Sequence, residues 1–87
     1  MALTRIAALE LGARGITVNC VCPGYVLTEM GAATRTAADV ARWSALSPLG
    51  RCTEPDEVAD LVAFLGSPAA RGITGQALNI SAGMVMH

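Results

Sequence analysis

The sequence predicts an α/β chain that holds part of a parallel sheet, with about two strands and three helices. Three observations carry this. Residues 16–22, ITVNCVC, put Ile16, Val18, Cys20 and Cys22 on one face and Thr17, Asn19 and Val21 on the other. Only Thr17 and Asn19 are frankly polar, and a strand apolar on both faces suits a parallel sheet covered on both sides. Residues 77–81, ALNIS, form a second short apolar run. The connection between the two runs is long and carries helical patterns, as parallel neighbours require. Two strands are fewer than an independently stable sheet uses, so the expectation is half a sheet at best.

Composition narrows the class. The chain has 87 residues, enough for one small domain at most. It is 53% hydrophobic and 15% charged, which excludes a disordered tail. That apolar share is rich for a free-standing domain, because a chain of this size buries only roughly 60–65% of its unfolded surface. A formal net charge of −1 gives no electrostatic basis for binding nucleic acid or an anionic membrane. No apolar run approaches the ~20 residues of a membrane span, and the N-terminal segment, with Arg5 inside an amphipathic pattern, does not read as a signal peptide. The three cysteines are an odd number, and Cys20 and Cys22 share a strand where a disulfide is geometrically awkward. No histidine or further cysteine pair stands at metal-ligand spacing, so no metal is expected. The cysteines read as buried small hydrophobes in a reducing, cytoplasmic setting. The single histidine, His87, ends the chain without a nearby partner, and no catalytic role is assigned to it.

In chain order, residues 1–11 form a helix, with Ala2, Ile6, Leu9 and Ala13 at helical spacing and Gly12 and Gly15 as stop signals. No capping residue precedes it, so the helix begins in mid-stride, as if its first turns were absent. The central strand ends at Pro23, which cannot donate to a ladder. Gly24 lets the backbone approach a ligand closely or take positive φ. Residues 25–35 are a loop without a strong period. Thr36 and Asp39 make a capping-box-like start, with Asp in place of Glu or Gln, for a helix over residues 37–46 carrying Val40 and Trp43 on one side. Ser47-Pro48 ends it. Thr53-Glu54-Pro55-Asp56-Glu57 is the strongest helix start: a cap, an early proline and three acids. Val58, Leu61, Val62 and Leu65 then give an apolar stripe, and Gly66-Ser67-Pro68 closes the helix. Arg51 reads as an ion-pair or solvated charge beside these acids rather than as a ligand. Ile73-Thr74-Gly75 turns the chain into the second strand.

The carboxyl end of the first strand is where ligands of open parallel sheets bind. Pro23-Gly24-Tyr25-Val26-Leu27-Thr28 offers backbone N–H and C=O groups and a hydroxyl there, a candidate cofactor edge. By spacing alone a strand-ending turn, with Thr28 capping the next segment, is the simpler reading.

A resemblance reverses that preference. Asn19-Cys20-Val21-Cys22-Pro23-Gly24 followed by Thr28 resembles the "N-x-x-x-P-G-x-x-x-T" segment of the short-chain dehydrogenase/reductase family. Leu49-Gly50-Arg51 with Glu54-Pro55-Asp56-Glu57-Val58-Ala59 resembles its "L-G-R-x-x-x-P-E-E-V-A" segment. Phe64-Leu65-Gly66-Ser67 and Ile73-Thr74-Gly75-Gln76 resemble "F-L-x-S" and "I-T-G-Q". Each is weak alone, and the ordered set is specific. The resemblance covers nearly the whole chain but only the last third of a family member. It implies that residues 1–87 are a single partial domain, the C-terminal part of a doubly wound, Rossmann-like sheet. It implies NAD or NADP as cofactor, with Pro23 and Gly24 lining the nicotinamide, the Val26 backbone pairing with the carboxamide, and the Thr28 hydroxyl holding the carboxamide or a nearby phosphate. It implies an alcohol/carbonyl substrate under a lid that includes Trp43, either as a packing anchor or as a substrate contact. It also implies a homo-oligomer joined through the last helix and strand.

The family's glycine-rich nucleotide turn, catalytic serine and Tyr-x-x-x-Lys pair lie upstream of the segment seen here. Tyr25 has Glu29 four residues on, and no lysine matches the catalytic one, so no catalytic residue is assigned and no turnover is expected from this chain alone. Asn19 reads as a packed, hydrogen-bonded polar residue. Ser81-Ala82-Gly83 replaces the family's usual Asp-Gly-Gly. A second reading is a non-catalytic interaction module, docking on full-length relatives through Val58, Leu61, Val62, Leu65 and the edge of residues 77–81.

Overall fold

The computed structural model describes residues 1–27 and 34–85. Helix α1, Ala2–Leu11, starts directly at Met1 with no side-chain cap, as its sequence implies. A tight 3-10 turn, Gly12–Arg14, follows, and Gly15 reverses the chain at φ +72°. Strand β1 is Cys20–Pro23, helix α2 is Ala37–Ser44, helix α3 is Pro55–Leu65 and strand β2 is Ala77–Ile80. The strands pair in parallel, from Cys20 opposite Ala77 to Pro23 opposite Ile80. The α/β expectation therefore holds, with a sheet of two strands among the described residues. None of the helices is long and apolar enough to cross a membrane, among the described residues.

The structure shortens the central strand. Ile16 to Asn19 lie outside the sheet: the Ile16 N–H is taken by the Leu11 carbonyl, and the Val18 backbone by the turn that leads into β2. The Val18 N–H donates to Thr74 Oγ1 at 3.0 Å, and the Gly75 N–H donates to the Val18 carbonyl at 2.7 Å. Asn19 is the packed polar residue expected: its Nδ2 donates to the Ile73 carbonyl at 3.0 Å and its Oδ1 accepts from the Gln76 N–H at 3.2 Å. Pro23 is the last strand residue rather than the first beyond it. Its missing N–H costs the ladder nothing, because alternate residues donate to β2, with Cys20 on the Gln76 carbonyl at 2.8 Å and Gly24 on the Ile80 carbonyl at 3.2 Å to either side.

The capping box of α2 is present, with Asp39 N–H on Thr36 Oγ1 at 3.1 Å and Thr36 N–H on Asp39 Oδ2 at 2.9 Å. The helix ends two residues early because Leu46 and Ser47 close tighter turns onto Trp43 and Ser44. At α3 the cap is Glu54, not Thr53. The Glu57 carboxylate accepts the Glu54 N–H at 2.8 Å. Thr53 is unavailable for capping because it is buried, at 1% exposure, and tied to the sheet edge. β2 stops at Ile80, and Ser81 starts a turn in which its Oγ accepts the Val85 N–H at 3.1 Å.

The core is thin. Its fully buried apolar residues are Ala8, Cys52 and Ala70, among the described residues, while Leu9 is 84% and Val62 54% exposed. The stripe of α3 is thus only half covered, with Val58, Leu61 and Leu65 partly buried. A two-stranded sheet with helices this bare has little apolar burial to offset chain entropy.

Two backbone positions give a stability prediction. A Cβ at Gly24 falls 2.8 Å from Ser81 Cβ and 3.1 Å from Ser81 Cα, so Gly24→Ala should destabilise by about 1–3 kcal/mol through overpacking. Ala82 holds φ +53°, where a side chain is strained, so Ala82→Gly should stabilise by roughly 1 kcal/mol. Urea denaturation of the two variants checks both signs.

Candidate functional site

The two strands end side by side, and their carboxyl ends form the candidate site. Gly24 and Ser81 meet there backbone to backbone. Glycines with positive φ are Gly15, Gly50, Gly75 and Gly83 among the described residues. Gly24 is therefore needed for close approach, and the group it approaches within the chain is Ser81.

Beyond Gly24 the chain makes one more parallel bridge, to the residue before the α3 cap. The Thr53 N–H donates to the Tyr25 carbonyl, and the Leu27 N–H donates to the Thr53 carbonyl, both at 3.0 Å. Thr53 Oγ1 lies 3.5 Å from the Ile80 carbonyl and so also reaches the end of β2. In a parallel bridge the residue between the two bonded neighbours turns its own N–H and C=O to the opposite side. That residue is Val26. Its N–H and C=O carry no hydrogen bond among the described residues, a donor and an acceptor side by side on one half-buried residue.

Val26 lines a cleft of ≈ 340 Å³ with Tyr25, Thr34, Arg35, Asp39 and Trp43. Tyr25 and Trp43 are stacked, with ring centroids 5.1 Å apart and planes 11° from parallel. Trp43 thus pins α2 to the end of β1 and also walls the cleft. Asp39 sits at the rim, and its carboxyl is held below the usual range by the Thr36 N–H first and Arg42 after it. A cleft of ≈ 370 Å³ lies at the opposite, amino end of β2, between Met1, Thr4, Arg5 and residues 75–77. Ligands of open parallel sheets sit at the other end.

Arg51 pairs with Glu57 at 2.6 Å, as the simpler reading of its charge expected. The guanidinium and then the Glu54 N–H hold the Glu57 carboxyl below its usual range, and Glu57 raises Arg51. The pair steadies the loop that delivers Thr53.

Of the residues assigned from sequence, Pro23, Gly24 and Val26 come together at this edge, and Thr28 lies outside the described residues. Sequence reasoning misses Thr53 and the Tyr25–Trp43 stack. Thr53 looks like a helix cap one position too early. The aromatic pair gives no local signal, because its members stand on different elements.

Comparison with known proteins agrees with this architecture. A family model described as "Enoyl-(Acyl carrier protein) reductase" matches residues 1–85. The chain belongs to the short-chain dehydrogenase/reductase family. The galactitol 2-dehydrogenase (L-tagatose-forming) of Cereibacter sphaeroides is 44% identical over 93% of this chain and 32% of its own length. The 3-oxoacyl-(acyl-carrier-protein) reductase FabG of Vibrio cholerae is also 44% identical, over 95% of this chain and 34% of its own. A short-chain type dehydrogenase/reductase from Mycobacterium ulcerans superposes with a TM-score of 0.86 at 38% identity, covering 95% of this chain and 30% of that one. The chain spans about a third of the length of these relatives. Its two strands and three helices are thus a portion of their Rossmann-like, doubly wound sheet.

This geometry has two measurable outcomes. Trp43 is the only tryptophan, so its emission reports the stack directly. Tyr25→Ala should red-shift that emission and lower the helical signal of α2, whereas an unchanged spectrum would mean that the stack does not form in solution. Glu57 has a lowered folded pKa, so its contribution to stability is full above the unfolded carboxylate pKa and disappears as pH falls through the lowered value. Acid titration of stability should therefore lose one component in Glu57→Gln, and added salt should weaken that component in the parent because the pair is exposed.

Proposed function

We propose that the chain is the C-terminal part of an NAD(P)-dependent oxidoreductase acting on an alcohol/carbonyl pair. The observation that supports this most directly is the unused N–H and C=O of Val26, presented together at the carboxyl end of a parallel strand. A primary carboxamide needs one acceptor and one donor, and Val26 supplies both. The nicotinamide, when bound, is the group that gives or takes the hydride. Pro23 and Gly24 would line it, and Thr28 would add a hydroxyl. The Tyr25–Trp43 wall and α2 would face the substrate side. The apolar faces left bare on α1 and α3 suit contact with the rest of the sheet and with a second subunit. A reducing, cytoplasmic setting fits the three free thiols.

By itself the chain would not turn over substrate. It contains no lysine, and Tyr25 is stacked on Trp43. The bare Val62 and its stripe also support a second reading, a non-catalytic module docking on full-length relatives through α3 and the edge of β2.

A chimera separates these readings. In it, the chain replaces the matched C-terminal third of the Vibrio cholerae reductase. The chimera should reduce a 3-oxoacyl substrate, and the isolated chain should not. Val26→Pro in the chimera removes an N–H that the bridge does not use, so KM for the nicotinamide cofactor should rise roughly three- to tenfold, the worth of one hydrogen bond. An unchanged KM would refute the carboxamide assignment. A folded chimera without activity, together with co-purification of the isolated chain on the intact reductase, would favour the docking module.

A further inference from the structure

Two of the chain's three cysteines face each other. Cys20 and Cys22 stand two apart on β1, so their side chains leave the same face of the strand. Their sulfurs are 3.8 Å apart. Both are free, half-buried thiols, whereas Cys52 is buried with its sulfur 3.7 Å from Ser44 Oγ. The hydrogen bond with Cys20, then burial, pushes the Cys22 thiol up. A disulfide would require the sulfurs to close to about 2.05 Å. Tetrahedral thiolate coordination at a metal–sulfur distance of about 2.3 Å instead spans about 3.8 Å between sulfurs, close to the separation found. Zinc needs four ligands, and no cluster of three or more His, Cys, Asp or Glu able to hold an ion occurs among the described residues. The fitting ligand is therefore one that two protein sulfurs complete.

We propose that Cys20 and Cys22 form a bidentate site for mono-organic trivalent arsenicals. Such a ligand brings its own carbon as the third substituent, so the two sulfurs satisfy it. With an arsenoxide, two S–H bonds and the arsenic–oxygen double bond break, two arsenic–sulfur bonds form and one water leaves. Arsenic stays trivalent and no oxidant is consumed. The strand holds both sulfurs on one face, and the second arsenic–sulfur bond forms at the high effective concentration that this gives. Cys22 directly precedes Pro23, so a loaded site would stand beside the carboxyl edge of the sheet. The inference is independent of the cofactor reading.

Phenylarsine oxide is the probe. The chain is incubated with it in excess 2-mercaptoethanol, which strips arsenic from single thiols, and read by intact mass. The parent and Cys52→Ser should each retain one adduct, released by 2,3-dimercaptopropanol. Cys20→Ser and Cys22→Ser should lose it at about a hundredfold less competing monothiol. Retention in either single variant, loss in Cys52→Ser, or no adduct on the parent overturns the site. In urea the adduct should be easier to strip, and equal retention there would show that sequence spacing, not the strand, holds the arsenic.

Discussion

The pairing of Thr53 with the backbone on either side of Val26 is the constraint on which the rest of the site depends. It is made of two ordinary backbone hydrogen bonds, both at 3.0 Å. Its effect comes from position. It brings the start of α3 against the chain leaving β1, and Thr53 Oγ1 reaches the end of β2 as well. Three segments distant in sequence are thereby held at one point. The same two bonds leave Val26 with its polar groups facing outward, which is where a ligand's hydrogen bonds can be made without breaking any of the chain's own.

Close packing of backbone on backbone makes that junction possible. Gly24 and Ser81 are near enough that a methyl group between them does not fit. The absence of a side chain at Gly24 therefore serves the junction of the strands, and only through it the ligand edge. Ala82, one residue further, accepts a left-handed conformation that glycine would hold without strain. Two features give the α3 side its rigidity: the Arg51–Glu57 pair across the loop before the helix, and the Glu54 N–H on the Glu57 carboxylate. Both are exposed and individually weak. They act beside the buried Cys52 and Thr53, and together these hold Thr53 in register.

Much of this was legible in the sequence because the signals are local. The capping box of α2 needs only Thr36 and Asp39, three residues apart. The start of α3 is marked by Pro55 and the acids around it, and the strand end by Pro23. Boundaries were less legible where the competing partner is remote. Alternation alone extends the strand back to Ile16, but Val18 and Asn19 are taken by the turn at residues 73–76, more than fifty positions away. Thr53 carries the side chain of a helix cap, and only the fold reveals that its backbone is committed elsewhere. The stack of Tyr25 on Trp43 joins a strand end to a helix and has no periodic signature. The ordered family motifs favour what spacing left open: a ligand edge at Pro23, Gly24 and Val26 in preference to a plain turn.

The exposed apolar faces bear on how such a piece becomes a working site. A parallel strand with one neighbour has half its ladder unsatisfied, and β1 has a neighbour on the β2 side only, among the described residues. Leu3, Ile6 and Leu9 of α1, all more than half exposed, lie on a helix whose Ala8 packs near Gly75, in the turn before β2. A further strand beside β1 would complete its ladder, and a neighbour on α1 would cover these residues. Cover on α1 would also brace the turn at residues 73–76 and, through it, the strand that ends at Pro23. The outward-facing groups of Val26 are thus set locally by Thr53, while their rigidity depends on contacts that cover α1. A candidate site at the end of a sheet gains precision with the sheet around it, because each added ladder bond restricts the strand that presents it.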